Sequence, residues 1–320
     1  MKLSLIILLG FFPLLAKSQF DLHEYFDDIS IVHEGTIWGN GASFFDFNKD
    51  GFDDITTPDG NQLIRTFASI GDSFVEVDLD IELPISAHIK AIIWVDYDND
   101  QDFDLFVAQS GGQILLFEQA SPMVFQNVSA EVGFHLGIYN YQGAAFADVD
   151  HDGDLDFYVA KYYTPNLNPG AEFASQFYIN NGDKTFTESA SQRGLYLAPR
   201  AVFQPVFVDV NGDNHLDLFV IVDRASWANE LYLNDGNGFF VSAPSNAGYL
   251  EGIDSMSATV GDYNNDGDVD FFVSDGYSGN LLLDNSGSGF FTNLAGILGV
   301  ATYGFCWGAN WIDANNDGLL

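Results

Sequence analysis

Short apolar runs rich in Val, Ile, Phe, Tyr and Trp recur along the chain, each interrupted by Asp, Asn and Gly. Ala91 to Val95 and Leu105 to Ala108 form one such pair, with a polar stretch from Asp96 to Asp104 between them. Runs of this length, closed by turn residues, predict strands and exclude long helices. The same arrangement begins six times, at Asp46, Asp96, Asp148, Asp209, Asp262 and Asp313, with spacings of 50, 52, 61, 53 and 51 residues. Such a period signals an array of supersecondary units, each too small to bury its own apolar face.

A second hairpin follows in the units, as in Gln176 to Phe186 and Glu230 to Val241. Its turns, Asn181-Gly182 and Asp235-Gly236, are dipeptides that join adjacent antiparallel strands. Each unit thus supplies four strands, the acidic stretch joining the first two and the Gly turn the last two. The expected fold is all-β, a β-propeller of four-stranded antiparallel blades. An open β-solenoid ranks behind it, because it needs shorter repeats and a parallel ladder. The units fall at about 36–85, 86–136, 137–197, 198–250, 251–300 and, incomplete, 301–320. Residues 19–35 include Tyr25 to Ile31, which resembles the last strand of a unit and is expected to complete the final blade and close the ring.

The acidic stretches carry the chemistry. Side chains at loop positions 1, 3, 5 and 9 are Asp or Asn in the first five units. They are Asp46, Asn48, Asp50 and Asp54; Asp96, Asp98, Asp100 and Asp104; Asp148, Asp150, Asp152 and Asp156; Asp209, Asn211, Asp213 and Asp217; and Asp262, Asn264, Asp266 and Asp270. The sixth retains Asp313, Asn315 and Asp317. Alternate positions on a tight loop converge on one point, and hard oxygen donors there suit Ca²⁺, which takes about six to eight oxygens. One structural calcium per loop is expected. Position 6 is Gly51, Gly153, Gly267 or Gly318, where a positive φ lets the loop turn back. Asn214 tolerates that conformation and Gln101 resists it, so a distorted or weaker second site is expected. An EF-hand is excluded, since position 12 is Thr57, Val107, Val159, Val220 or Val273, within strand runs, rather than Glu between helices.

The chain has 320 residues, 46 acidic against 10 basic, and a net charge of -36. That field repels phosphate backbones and anionic membranes, so nucleic acid is not an expected partner. The six loops hold 23 of the 46 acidic residues, so bound cations would offset much of the self-repulsion. Lys2, the apolar run Leu3 to Leu15 and the small-residue site ending at Ser18 predict a cleavable secretory signal over residues 1–18. No later run approaches the roughly 20 apolar residues of a membrane helix. Cys306 is the single cysteine and has no disulfide partner within the chain, so calcium rather than disulfides is expected to staple an exported protein.

From Tyr25 to Leu320, the D-x-[DN]-x-D-G-x-x-D core with its following strand resembles the FG-GAP, or VCBS-like, repeats of integrin α-subunit propellers and of bacterial secreted proteins, some with a C-terminal ASPIC/UnbV region. The resemblance implies a propeller of typically seven blades, calcium between the first two strands of each, and extracellular adhesion or ligand binding. By that template five blades are complete, the sixth stops at Leu320, and the chain reads as a C-terminally truncated fragment.

No G-x-S-x-G, H-E-x-x-H or phosphate-cradling loop is present, so no enzymatic activity is expected. The second-to-third strand connections of two units are elaborated, Lys161 to Phe173 and Asp223 to Asn229. Tyr162, Tyr163, Arg224 and Trp227 there are candidate exposed contacts for a carbohydrate or protein ligand. The reading is a secreted, monomeric, calcium-binding propeller for extracellular recognition or adhesion. A secreted polysaccharide-acting enzyme and a passive scaffold for a further C-terminal domain are the alternatives.

Overall fold

A computed structural model describes residues 40–59, 62–163, 170–195, 198–249, 252–315 and 317–320. The expected signal segment 1–18 and the ring-closing strand within 19–35 lie outside the described residues. Five blades follow one another. The first has strands β1 (Ser43–Phe45), β2 (Asp54–Pro58), β3 (Ile64–Ser69) and β4 (Phe74–Val77). The second has β5 (His88–Val95), β6 (Asp104–Gly112), β7 (Ile114–Ser121) and β8 (Val124–Asn127). The third has β9 (Tyr139–Ala147), β10 (Asp156–Lys161), β11 (Gln176–Asn180) and β12 (Phe186–Glu188). The fourth has β13 (Val202–Val208), β14 (Asp217–Val222), β15 (Glu230–Asn234) and β16 (Phe240–Ser242). The fifth has β17 (Ser255–Gly261), β18 (Asp270–Asp275), β19 (Leu281–Asn285) and β20 (Phe291–Asn293). A short helix, α1 (Ala295–Leu298), follows, and no strand lies among the described residues beyond it.

Every blade is an antiparallel meander in which strands pair in chain order. Short pairings stitch neighbours at the end away from the acidic loops. There β6 meets β9 at Ser110–Asn140 and Gly112–Tyr139, and Tyr162 bridges Ala201. First strands pack beside one another from β1 through β5, β9 and β13 to β17, which makes them the inner strands of a β-propeller.

The pattern of burial explains the sequence pattern. The second strands of the second, third and fourth blades are buried on both faces, because each of these blades is covered by the blade before and the blade after. Along β14, Leu218, Val220 and Val222 pack toward the third blade while Phe219 and Ile221 pack toward the fifth. In β10, Phe157 and Val159 face the second blade, and Tyr158 and Ala160 face the fourth. That is why these strands read as continuous apolar runs rather than as alternating ones. Outer strands such as β8 and β16 are mostly exposed.

Glycine sets the spacing between blades. Gly194 and Gly248 follow the outer strands with φ of 81° and 89°, and a Cβ would lie 2.1 Å from the Phe240 carbonyl oxygen and 1.9 Å from that of Phe291. The residue before each glycine accepts a bond from the next blade's outer strand, Phe240 N–H to Arg193 at 2.8 Å and Phe291 N–H to Ala247 at 2.7 Å.

Phe157 is fully buried at the centre of an aromatic cluster, its ring 4.7 Å from Tyr178 and 5.0 Å from Phe146. Phe157→Ala is expected to cost about 3–5 kcal/mol through the cavity it leaves. A urea midpoint unchanged from the parent chain would contradict an inter-blade core at this position.

Candidate metal centres

Each acidic stretch folds as a nest of side-chain-to-backbone bonds. In the first loop Asp46 accepts from the Asp50 and Gly51 amides at 3.0 and 2.8 Å, and Asn48 accepts from Asp50 at 2.9 Å. Asp262 and Asn264 repeat this with Asp266 and Gly267 in the fifth loop at 2.9–3.1 Å. The partial sixth loop does the same, Asp313 accepting from Asp317 and Gly318 at 3.1 and 2.7 Å. These Asx turns bend the backbone so that positions 1, 3 and 5 face one another.

Position 6 has positive φ in every loop, from Gly51 at 92° to Gly318 at 84°. Position 4 does too, at Lys49, Asn99, His151, Gly212 and Asn265. That second left-handed residue has no glycine signature outside Gly212 and was not legible in the sequence. Gln101 behaves differently from expectation. It adopts φ 73° and its amide reaches Asp96 Oδ2 at 3.1 Å, so the turn is kept, while Asp96 Oδ1 lacks the position 5 amide that the other loops supply. The surrounding bonds over-determine the turn and hold a conformation that a lone glutamine disfavours.

The structure gathers carboxylate oxygens of Asp96, Asp98 and Asp104 within 4.8 Å of one another, and likewise those of Asp148, Asp150 and Asp152. Asp96 Oδ1 and Asp150 Oδ1 are buried and lie outside any hydrogen bond. A buried oxygen with no donor is costly, and an oxygen-only donor set around it suits a hard cation. The donors present therefore fit a metal ion. Cationic side chains stand beside these two loops: Lys184 of the third blade pairs with Asp98 and, at 2.7 Å, with Glu118, and Arg193, just after the third blade's outer strand, lies 3.7 Å from Asp150.

Position 9 has a further task. Asp54, Asp104, Asp156, Asp217 and Asp270 are at most 1% exposed. In each, Oδ1 accepts a backbone amide from the end of the third strand at 2.8 Å: Ser69, Gln119, Asn180, Asn234 and Asn285. Oδ2 accepts the position 2 amide at 3.1–3.5 Å: Phe47, Tyr97, Val149, Val210 and Tyr263. One carboxylate thus ties the second strand to the third and to the loop. Burial, opposed by these amides, pushes Asp104 up to about 8, Asp156 to about 7, and Asp217 and Asp270 to about 6.

A second set of residues was missed in the sequence. Asn180, Asn234 and Asn285 donate Nδ2 to the position 2 carbonyl of the preceding blade's loop, at Tyr97, Val149 and Val210, over 2.7–2.9 Å. Their Oδ1 atoms accept from Gly182, Gly236 and Gly287 at 3.1 Å. The available signal was Asn followed two residues later by Gly at the end of the third strand in the last three blades; only the Gly turn stood out.

The candidate aromatic contacts of the elaborated loops are buried or half-buried. Tyr163 is 7% exposed and its amide donates to Arg200 at 2.9 Å, and Trp227 packs against the core between the third and fourth blades. Tyr162 donates to Asp223 Oδ2 at 2.6 Å, and Arg224 pairs with the same oxygen at 2.7 Å. The structure thus brings Tyr162 and Arg224 together. The expectation of exposed aromatics is corrected at Tyr163, which is buried, while Tyr162 and Trp227 are half-buried.

A family model for the FG-GAP-like repeat matches residues 60–159, 168–220, 209–273 and 262–320, most of the chain. The chain belongs to the FG-GAP-like repeat family. No curated protein sequence matches this FG-GAP chain. Among solved structures, the BBS1N–ARL6DN complex soaked with lead superposes with a TM-score of 0.50 at 9% identity, over 82% of this chain and 69% of that one. A mutant of AofleA from Arthrobotrys oligospora gives 0.47 at 10% identity, over 77% of this chain and 68% of that one. The V. cholerae biofilm matrix protein Bap1 gives 0.38 at 14% identity, over 69% and 33%. At 9% identity the likeness to the BBS1N complex is one of fold.

Asn234→Ala removes the donor held by the Val149 and Leu216 carbonyls. It is expected to destabilise the chain by about 1–3 kcal/mol, read as a lower urea midpoint. With divalent cations chelated, pH has a defined sign. The position 9 carboxyls hold protons more tightly in the folded chain than in an open one, so their contribution is complete below about 4 and is lost as pH rises through about 6 to about 8. In chelator, melting temperature should fall between pH 5 and pH 8 by roughly several degrees; a flat or rising profile would contradict it.

Proposed function

We propose that this chain is a secreted, calcium-stabilised propeller that serves extracellular recognition or adhesion rather than catalysis. The observation that carries the reading is the recurring quartet of Asp and Asn oxygens, with buried, unpartnered carboxylate oxygens at Asp96 and Asp150. Calcium would be held by positions 1, 3, 5 and 9 of the first five loops: Asp46, Asn48, Asp50 and Asp54 in the first, and their equivalents in the next four. Asp313, Asn315 and Asp317 would provide an incomplete sixth set. A bound ion supplies positive charge where carboxylates are crowded and desolvated, which ordinary side chains cannot do for every loop when only 10 of 320 residues are Lys or Arg.

The role of the ion is structural. Positions 1, 3 and 5 lie on a loop whose far end is position 9, and position 9 is bonded to the third strand; ion binding therefore stiffens the whole blade. Secretion is supported by Lys2, the apolar run Leu3 to Leu15 and the small-residue site at Ser18. Free calcium is abundant enough outside the cell to fill modest-affinity sites, for which Kd values of about 10⁻⁴–10⁻³ M suffice. Among the described residues no helix is long and apolar enough to cross a membrane. The partner proposed is an extracellular carbohydrate or protein.

The test is thermal unfolding with and without calcium, paired with capture on immobilised extracellular polysaccharide. Saturating a site at a hundredfold excess over its Kd contributes about 2.7 kcal/mol, so filling several sites should raise the melting temperature by about 5 °C or more. Asp150→Ala should remove part of that increment. Equal melting temperatures in calcium and in EDTA would sink the metal reading, and calcium-independent failure to bind any extracellular ligand would sink the recognition role.

A further inference from the structure

At the end of the third blade away from the acidic loop lies a cavity of about 290 Å³, lined among others by His135, Tyr139, Lys161, Gln176, Glu188 and Ser191. Lys161, the last residue of β10, forms its floor and is 3% exposed. Its Nζ donates to the Glu172 carbonyl at 2.9 Å and sits 3.7 Å from the centre of the Tyr139 ring. An ammonium carries three donors, and among the described residues no carboxylate lies within ion-pair distance of this one. Burial holds Lys161 down to about 8 against the opposing attraction of Glu188 and Glu172, whose carboxylates stand beyond direct pairing distance. In a chain with so few cations, one placed at the bottom of a cavity and directly paired with no carboxylate leaves ammonium donors available to an anion entering the cavity.

The walls restrict which anion. Gln176 is pinned by His135 Nδ1 at 2.9 Å and by the Tyr141 hydroxyl at 3.4 Å. Glu188 is anchored through Oε1, which accepts from the Ala190 amide at 3.1 Å. A carboxylate wall opposes a polyanion such as phosphate but accepts hydroxyl donors. Ser191 stands exposed at the rim. The cavity is at the lower edge of the roughly 300–1,000 Å³ typical of ligand sites, which suits a single small residue.

We propose that this cavity binds one acidic sugar residue, its carboxylate paired with Lys161 and its hydroxyls facing Glu188 and Gln176. The site deepens the recognition role proposed above and does not involve the acidic loops, which close the other end of the blade.

The experiment is calorimetric or saturation-transfer titration of the full chain with galacturonate, with galactose and glutamate as comparators. Galacturonate should bind about tenfold or more tightly than galactose, the effect of one charge-assisted contact. Lys161→Met should abolish that preference, and Ser191→Trp, at the exposed rim, should block galacturonate while leaving the fold intact. Should Lys161→Met fail to fold, Ser191→Trp carries the test. Absence of binding, equal binding of galactose or glutamate, or galacturonate binding untouched by Ser191→Trp would overturn the proposal. The calcium-dependent melting shift, retained in Ser191→Trp, separates failure of this site from failure of the metal reading.

Discussion

The fold depends on one buried carboxylate per blade. Asp54, Asp104, Asp156, Asp217 and Asp270 each begin a second strand, and each bonds the loop behind it and the third strand beside it. Hydrogen bonds to a charged acceptor are stronger than neutral ones, and they matter most where water is excluded. The same burial makes the charge expensive. A blade built this way is held by a group that destabilises it unless positive charge is near, so architecture and cation chemistry are one problem here.

Packing supplies the rest. Because the second, third and fourth blades are covered on two faces, residues of both parities in their second strands are apolar, and much of the aromatic content packs between blades. Phe106, Phe134, Phe146, Phe157, Tyr178 and Phe186 interlock in edge and stacked contacts between the second and third blades. The glycines after the outer strands then fix how near the next blade can come, since any side chain would strike a backbone carbonyl.

Much of this was readable from particular residues. The fifty-residue period, the Asx quartets and the Asn-Gly and Asp-Gly turns give strand order and blade number because they are local, and local geometry is written in adjacent residues. What was not readable was long-range. That Asn234 reaches Val149, 85 positions earlier, depends on the closure of two blades against each other. Tyr163 and Trp227 look like surface aromatics in a long loop, yet they are turned inward by the neighbouring blade. The cavity floored by Lys161 is assembled from four separate segments, so no motif announces it. Gln101 shows the converse: a residue unfavourable to its local conformation is overruled by the bonds around it.

The asparagine ties also displace the physical repeat from the repeat seen in the sequence. A copied unit begins at a first strand, but the acidic loop of one blade is completed by the third strand of the next, as Val210 is by Asn285. A duplication or recombination that joins blades from different arrays therefore separates half of a contact from its other half. The seam that keeps both halves runs through the middle of a blade, so swapping these modules cleanly requires crossover points offset from the apparent boundaries.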